Sequence, residues 1–303
     1  MLFFLCLTRA AVFRQYPDGK QLWYSNAPTI NFHLPAMQKY GGLLVHQSHD
    51  DDGIIEVVEA DGLRTLHFGS PPKQSCMKIS DPDTLQSPYV RAMLIWQLFL
   101  DSFDRALMIG LGGGCLAKYL LRTFPEGHIE AIEYRAGVVD IACSHFGLPA
   151  DPRLKVRIGD GGRYVRQLAG RQDSHYDLLL IDAFDHDAMS SAVNSAAFFD
   201  ACRQSLAPRG MLVMNLWGSD KKAFEQSAWH LGRSFHWHLL FLPVRARGNI
   251  IALGFSETHT GTTLAALRAR AQLLEEYSRI EFPVFLNDLK KHNAERFFSV
   301  IKK

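Results

Sequence analysis

Short apolar runs broken by glycine and aspartate mark the first readable stretch of the chain. Gly42–Ser48, Gly53–Ala60 and Leu63–Phe68 are β-prone, and Asp50-Asp51-Asp52-Gly53 and Asp61-Gly62 divide them as hairpin turns do. Residues 42–69 therefore predict a small antiparallel meander, followed by a Pro71-Pro72 connector. Residues 1–40 carry little pattern, and Pro17, Pro28 and Pro35 break any long element there.

From Tyr89 to Leu100 the spacing is helical, and then the pattern alternates. Ala106–Gly110, His128–Glu133, Leu154–Asp160, Tyr176–Asp182 and Met211–Leu216 read as strands. Between the first three, Leu116, Tyr119, Leu120 and Phe124, then Val138, Val139, Ala142 and Phe146, recur at helical intervals. Such alternation predicts a doubly wound, mostly parallel sheet. The last two strands, Trp237–Leu242 and Asn249–Phe255, lie too close for a helix between them and predict an antiparallel hairpin at the edge. The fold class expected is α/β: a seven-stranded, class I methyltransferase-like sheet with a small N-terminal antiparallel β domain. The division expected is 1–75 for the N-terminal segment and its meander, 76–258 for the nucleoside-binding domain, and 259–303 for a helical extension that Pro283 interrupts.

Charge changes this picture little. Lys and Arg number 33 against 31 Asp and Glu, so the balance gives no case for nucleic acid or a membrane surface as partner. No run approaches the ~20 apolar residues of a membrane span. The opening MLFFLCLTRAA lacks the basic start of a signal segment, and the five cysteines are odd in number and without ligand spacing. The expectation is a cytoplasmic protein with free thiols and no metal.

The candidate chemistry sits at strand ends. Gly110-Leu111-Gly112-Gly113-Gly114 joins a strand to a helix, where glycines let backbone approach a ligand and the helix start offers free N–H groups. Glu133 ends the second strand, where a carboxylate can accept both hydroxyls of a ribose diol. Asp160, before Gly161, ends the third and can accept from an adenine amine. Each alone is ambiguous; in this order at successive strand ends they point to a bound adenosine. Asp182 and Asp185 follow the fourth strand, where a carboxylate can orient an amine and take its proton.

At these residues the chain resembles the spermidine synthase (polyamine aminopropyltransferase) family, over roughly residues 42–255: the meander, Gln74, the glycine loop, Glu133, Asp160 and Asp182-x-x-Asp185 occur in the family's order. The resemblance implies transfer of an aminopropyl group from decarboxylated S-adenosylmethionine to a small-molecule amine acceptor, by a homodimer. It implies that Gln74, Gly110, Gly112, Gly114, Glu133, Asp160 and Gly161 surround the nucleoside. It further implies that Asp182 assists the attacking amine and Asp185 binds or gates the polyamine. Three departures stand out: Gly113 where the family's loop carries an aspartate, Tyr89-Val90-Arg91 where Tyr-His-Glu is expected, and His186-Asp187-Ala188-Met189 in place of a Pro-Gly-rich gate. Arg91 would suit a donor that keeps its carboxylate. Two alternatives stay open: an S-adenosylmethionine-dependent methyltransferase on the same scaffold, and a non-catalytic nucleoside-binding scaffold.

Overall fold

The computed structural model describes residues 13–15, 21–23, 37–169, 171, 175–183, 194–257 and 259–302. Two short strands, β1 (Phe13–Gln15) and β2 (Gln21–Trp23), come first. An antiparallel sheet follows: β3 (Gln38–Lys39), β4 (Gly42–Asp50), β5 (Gly53–Ala60), β6 (Leu63–His67), β7 (Ser75–Lys78) and β8 (Asp81–Leu85), paired in chain order. The meander expected over 42–69 is its centre, with β3 added before and β7 and β8 after. Asp61 and Gly62, both at positive φ, make the tight β5–β6 turn.

The helical stretch expected from Tyr89 is α1 (Pro88–Met93), which tightens into a 3₁₀ turn over Leu94–Leu98 with Trp96 fully buried. Strands and helices then alternate: β9 (Arg105–Ile109), α2 (Cys115–Thr123), β10 (His128–Glu133), α3 (Ala136–His145), β11 (Leu154–Ile158), α4 (Gly161–Leu168), β12 (Tyr176–Ile181), α5 (Ala196–Gln204), β13 (Leu206–Trp217) and α6 (Lys221–Ser234). The hairpin β14 (Leu239–Pro243) and β15 (Asn249–Phe255) closes the sheet. Its strand begins two residues later than expected because His236 and Trp237 turn through positive φ. The order is β14-β15-β13-β12-β9-β10-β11, with β1 and β2 beyond β11. Strand β15 runs antiparallel to both neighbours, and β13, β12, β9, β10 and β11 run parallel. The fold is thus the expected one, with the seven expected strands in place and β1 and β2 from the N-terminal segment extending the sheet to nine.

The core explains why these strands are apolar throughout. Ala106, Met108, Leu178, Leu180 and Val213 face one layer, built with α1, α2 and the C-terminal helices α7 (Leu264–Ser278) and α8 (Phe282–His292). Leu107, Ile109, Leu179, Ile181 and Met214 face the other, against α4, α5 and α6. Both faces are covered, so alternation disappears from the sequence. Pro283 stands in the first turn of α8, where its missing N–H costs no helix bond. After α8 come α9 (Phe297–Val300) and β17 (Ile301–Lys302), which pairs with β16 (His259–Thr263). A third apolar cluster, Ile55, Val57, Leu66, Met77, Val138, Ile141 and Phe146, fixes the N-terminal sheet to α3.

Candidate active site

The parallel strands deliver their carboxyl ends to one crevice, where the loops that follow β9, β10, β11 and β12 meet. Gly110 is the tightest point. Its φ is +89°, and a Cβ there would lie 2.1 Å from the Asp182 carbonyl oxygen, so only glycine lets β9 and β12 end side by side. Backbone bonds tie the ends together: Gly110 N–H donates to Ile132 O and Asp182 N–H to Ile109 O, both at 2.9 Å. Gly112 and Gly114 are also left-handed, and Gly114 caps α2.

Two side chains hold this loop from opposite sides. Glu133, 8% exposed, accepts from Leu111 N–H at 2.9 Å through Oε2 and from Arg135 N–H at 3.0 Å through Oε1. Burial raises its carboxyl above the ordinary range, and these backbone donors work against that rise. The N–H groups of Gly112 and Tyr134 also bond this carboxylate, so it is the point on which the loop and the end of β10 converge. On the other side Ser75 Oγ, at the start of β7, accepts from Gly113 N–H at 2.7 Å. Gln74, one residue earlier, anchors to β6 through its N–H and sets its carbonyl 3.7 Å from where a Gly112 Cβ would be. The N-terminal sheet therefore forms one wall of the loop.

Asp160 caps α4, accepting from Arg163 N–H at 2.9 Å through Oδ1. Gly161 packs directly on Ile109: a Cβ there would meet the Ile109 Cγ2 at 2.3 Å. The helix start thereby comes close under the glycine loop. Asp182 lies on the far side of Gly110, where Asn215 Nδ2 donates to its Oδ1 at 2.9 Å and the Tyr89 hydroxyl of α1 donates as well. Burial raises the Asp182 carboxyl, and the two donors oppose the rise. Burial, then the Asp182 charge, pushes the Tyr89 hydroxyl well above the usual phenol range. Asp185 lies outside the described residues, as do residues 186–189.

Gln74, Glu133 and Asp182 thus each contact the glycine loop, and Gly161, which follows Asp160, packs on Ile109 at the end of β9. Ser75 and Asn215 were not singled out from the sequence, and Tyr89 entered only as the head of a departing motif. Arg91 takes a different place from the donor-binding one considered for it. Its Nε and Nη2 pair with Glu281 at 3.1 Å, and its Nη1 donates to the carbonyls of Leu85 and Gln86.

A glycine loop at a helix start, flanked by a buried acid at the end of the next strand, is the arrangement of nucleoside-binding α/β sheets, and the antiparallel β15 at the edge gives it the class I methyltransferase-like order. The Spermine/spermidine synthase domain family model matches residues 105–226. The chain is 32% identical to the polyamine aminopropyltransferase of Chromobacterium violaceum, over 80% of this chain and 91% of that protein. A spermidine synthase in complex with the transition state analogue AdoDATO superposes with a TM-score of 0.65 at 14% identity, over 94% of both chains. Human methyltransferase-like protein 13 in complex with SAH superposes with a TM-score of 0.58 at 25% identity, over 64% of this chain and 93% of that one. The chain belongs to the spermidine synthase (polyamine aminopropyltransferase) family and is a transferase. Among the described residues no helix is long and apolar enough to cross a membrane.

Proposed function

We propose that the protein transfers an aminopropyl group from decarboxylated S-adenosylmethionine to a small-molecule amine. The observation that carries this reading is Asp182, held by Asn215 and Tyr89 against the turn of the glycine loop. Gln74, the loop glycines Gly110, Gly112 and Gly114, Glu133, Asp160 and Gly161 are the proposed nucleoside contacts. Their fit rests on the loop itself, where absent side chains leave room for close approach of a ligand; its N–H groups, expected to be free, are engaged by Ile132 O, Glu133, Ser75 and Leu111 O.

The transfer forms a C–N bond and breaks a C–S bond, and the electron pair goes to sulfur. The sulfonium is already activated, so the protein's part is to align the amine and receive its proton. Burial makes Asp182 a better proton acceptor than an exposed aspartate, while an arriving ammonium offsets its own desolvation by pairing with that carboxylate. Asp185 is proposed to face the polyamine, and the working unit to be a cytoplasmic homodimer.

One observation favours a second reading, methyl transfer from intact S-adenosylmethionine. Gly113 carries no acid for a donor ammonium, and human methyltransferase-like protein 13, a structural neighbour, is bound to SAH. Calorimetry with S-adenosylmethionine, its decarboxylated form and methylthioadenosine separates the two. Preference for the last two supports aminopropyl transfer, and preference for the intact donor supports methyl transfer. Asp182→Asn is expected to abolish turnover and leave nucleoside affinity nearly unchanged; wild-type turnover in that variant would remove Asp182 from the chemistry.

A further inference from the structure

We propose that Asn249, on the antiparallel strand β15, is a positioning residue for Asp182 and acts through Asn215 as a chain of two amides. Asn249 Nδ2 donates to Asn215 Oδ1 at 3.0 Å, and Asn215 Nδ2 donates to Asp182 Oδ1 at 2.9 Å. An amide has one accepting end and one donating end, whereas a carboxylate only accepts. Turned over, Asn215 would set oxygen against oxygen at Asp182 and NH₂ against NH₂ at Asn249. Each link therefore fixes the polarity of the next, and Asn215 is buried at 3% exposure, away from water that could substitute.

The backbone supports this arrangement. Asn249 is paired across the sheet with Trp217, two residues beyond Asn215. Gly218 N–H donates to Gly248 O at 2.6 Å and Val244 N–H to Asn249 O at 2.9 Å, pinning the hairpin at that point. Among the described residues, α1 brings the titratable Tyr89 to Asp182, and the Cys115 thiol of α2 stands beside Tyr89. Strand β13 presents the neutral Asn215, and the glycine loop presents backbone at Gly110. The amide chain is thus the sheet's own means of keeping a donor aimed at this carboxylate.

The test compares Asn249→Asp with Asn249→Leu. Aspartate nearly matches asparagine in size but, ionised, offers only acceptors to Asn215 Oδ1, so it turns the amide over and takes the donor from Asp182. Leucine removes one link without reversing it. The chain predicts that Asn249→Asp is the more damaging, with kcat/KM at neutral pH about tenfold lower. Its acid limb moves to higher pH, while KM for the nucleoside donor stays the same. A packing role alone predicts the opposite order, the near-isosteric aspartate being tolerated. The inference rests on Asp182 being the residue at the reacting amine. Carbon-detected NMR titration of the Asp182 carboxyl in wild type and both variants needs no turnover, so it judges the chain even if no donor–amine pair reacts. An unchanged titration in Asn249→Asp, or greater damage from leucine, overturns the proposal.

Discussion

Substituting Gly113 tests whether the family's missing loop acid is excluded by packing. A Cβ at this position would lie 2.8 Å from Cδ1 and 3.0 Å from Cγ of Phe146, and 3.0 Å from Cβ of Ser75. Carbon atoms settle at about 3.5–4.0 Å, so a separation of roughly 0.5–1 Å must be found. Neither neighbour yields easily. The Phe146 ring has no exposed surface and sits among Ile55, Val57, Leu66, Met77, Val138 and Ile141. Ser75 is held in β7 and accepts the 2.7 Å bond from Gly113 itself. Overpacking of this kind costs about 1–3 kcal/mol. For a chain of this length that lowers the unfolding midpoint by about 2–5 °C. Because the clash begins at Cβ, Gly113→Ala and Gly113→Asp should lose similar amounts. In a Phe146→Ala background, itself about 3–5 kcal/mol less stable, the alanine at 113 should cost less, the Ser75 contact alone remaining. Scanning calorimetry of the four proteins in the Ala–Ala cycle reads the coupling, expected at about 1 kcal/mol or more. A wild-type midpoint for Gly113→Asp, or strict additivity in the cycle, would refute the reasoning.

Two further outcomes follow from the ion pairs. Arg91→Met should leave the ratio of affinities for intact and decarboxylated donor unchanged, because Glu281 and two carbonyls already engage the guanidinium. With 26% and 34% of the two side chains exposed, the stability lost should stay below about 1 kcal/mol, and a selective loss of intact-donor binding by calorimetry would contradict this. Asp50→Asn removes the negative charge and one of the two oxygens that accept from Arg135, at 2.6 and 3.0 Å, setting an NH₂ against the guanidinium, and should cost about 1–3 kcal/mol at neutral pH. Burial pushes Asp50 up, but the Arg135 bonds and charge outweigh it and leave the folded carboxyl below its ordinary value. The stabilisation is therefore present above the unfolded carboxyl pKa and fades as pH falls through the folded one. The midpoint gap between variant and wild type should narrow on acidification, and a constant gap from neutral to acid pH would sink the assignment.

The parallel strands were legible because both faces are buried, which turns each into a short continuous apolar run between glycines and acids. The strand-end order of Gly110, Glu133, Asp160 and Asp182 was legible for a related reason. In a parallel sheet chain order is enough to bring successive strand ends to one side. What escaped is what depends on contact across long separations. Ser75 reaches Gly113 across 38 residues, and Asn215 reaches Asp182 across 33. Small polar residues at strand ends look like ordinary turn formers until the partner is seen. Strands β7 and β8 follow Pro71-Pro72, and their sequences, Ser75-Cys-Met-Lys and Asp81-Pro-Asp-Thr-Leu, lack alternation. For Arg91 the chemistry was readable but the partner was not, because Glu281 lies 190 residues further on.

The two sheets meet at the glycine loop, and the polar contacts there show why the N-terminal sheet belongs to the site. Leu111 N–H is satisfied from β10 by Glu133 and Gly113 N–H from β7 by Ser75, so the loop's shape depends on both sheets. The helix that follows carries Lys118, 8% exposed, whose ammonium donates to Phe146 O at 2.6 Å and Pro82 O at 3.1 Å. A buried ammonium among carbonyls is tolerable only while those carbonyls stay in place. Pro82 belongs to β8, so displacing the small sheet would leave a cation short of partners at the root of α2. Arg135 makes the same demand one strand over, spanning from the residue after Tyr134 to Asp50 and Gly53 O. Lys118 lies in the first turn of the helix that follows the glycine loop, and Arg135 follows Glu133 by two residues. The apolar cluster under Phe146 supplies the adhesion between the sheets, and Lys118 and Arg135 supply the register. A small shift of the N-terminal sheet would thereby reach the glycine loop, the proposed donor contact.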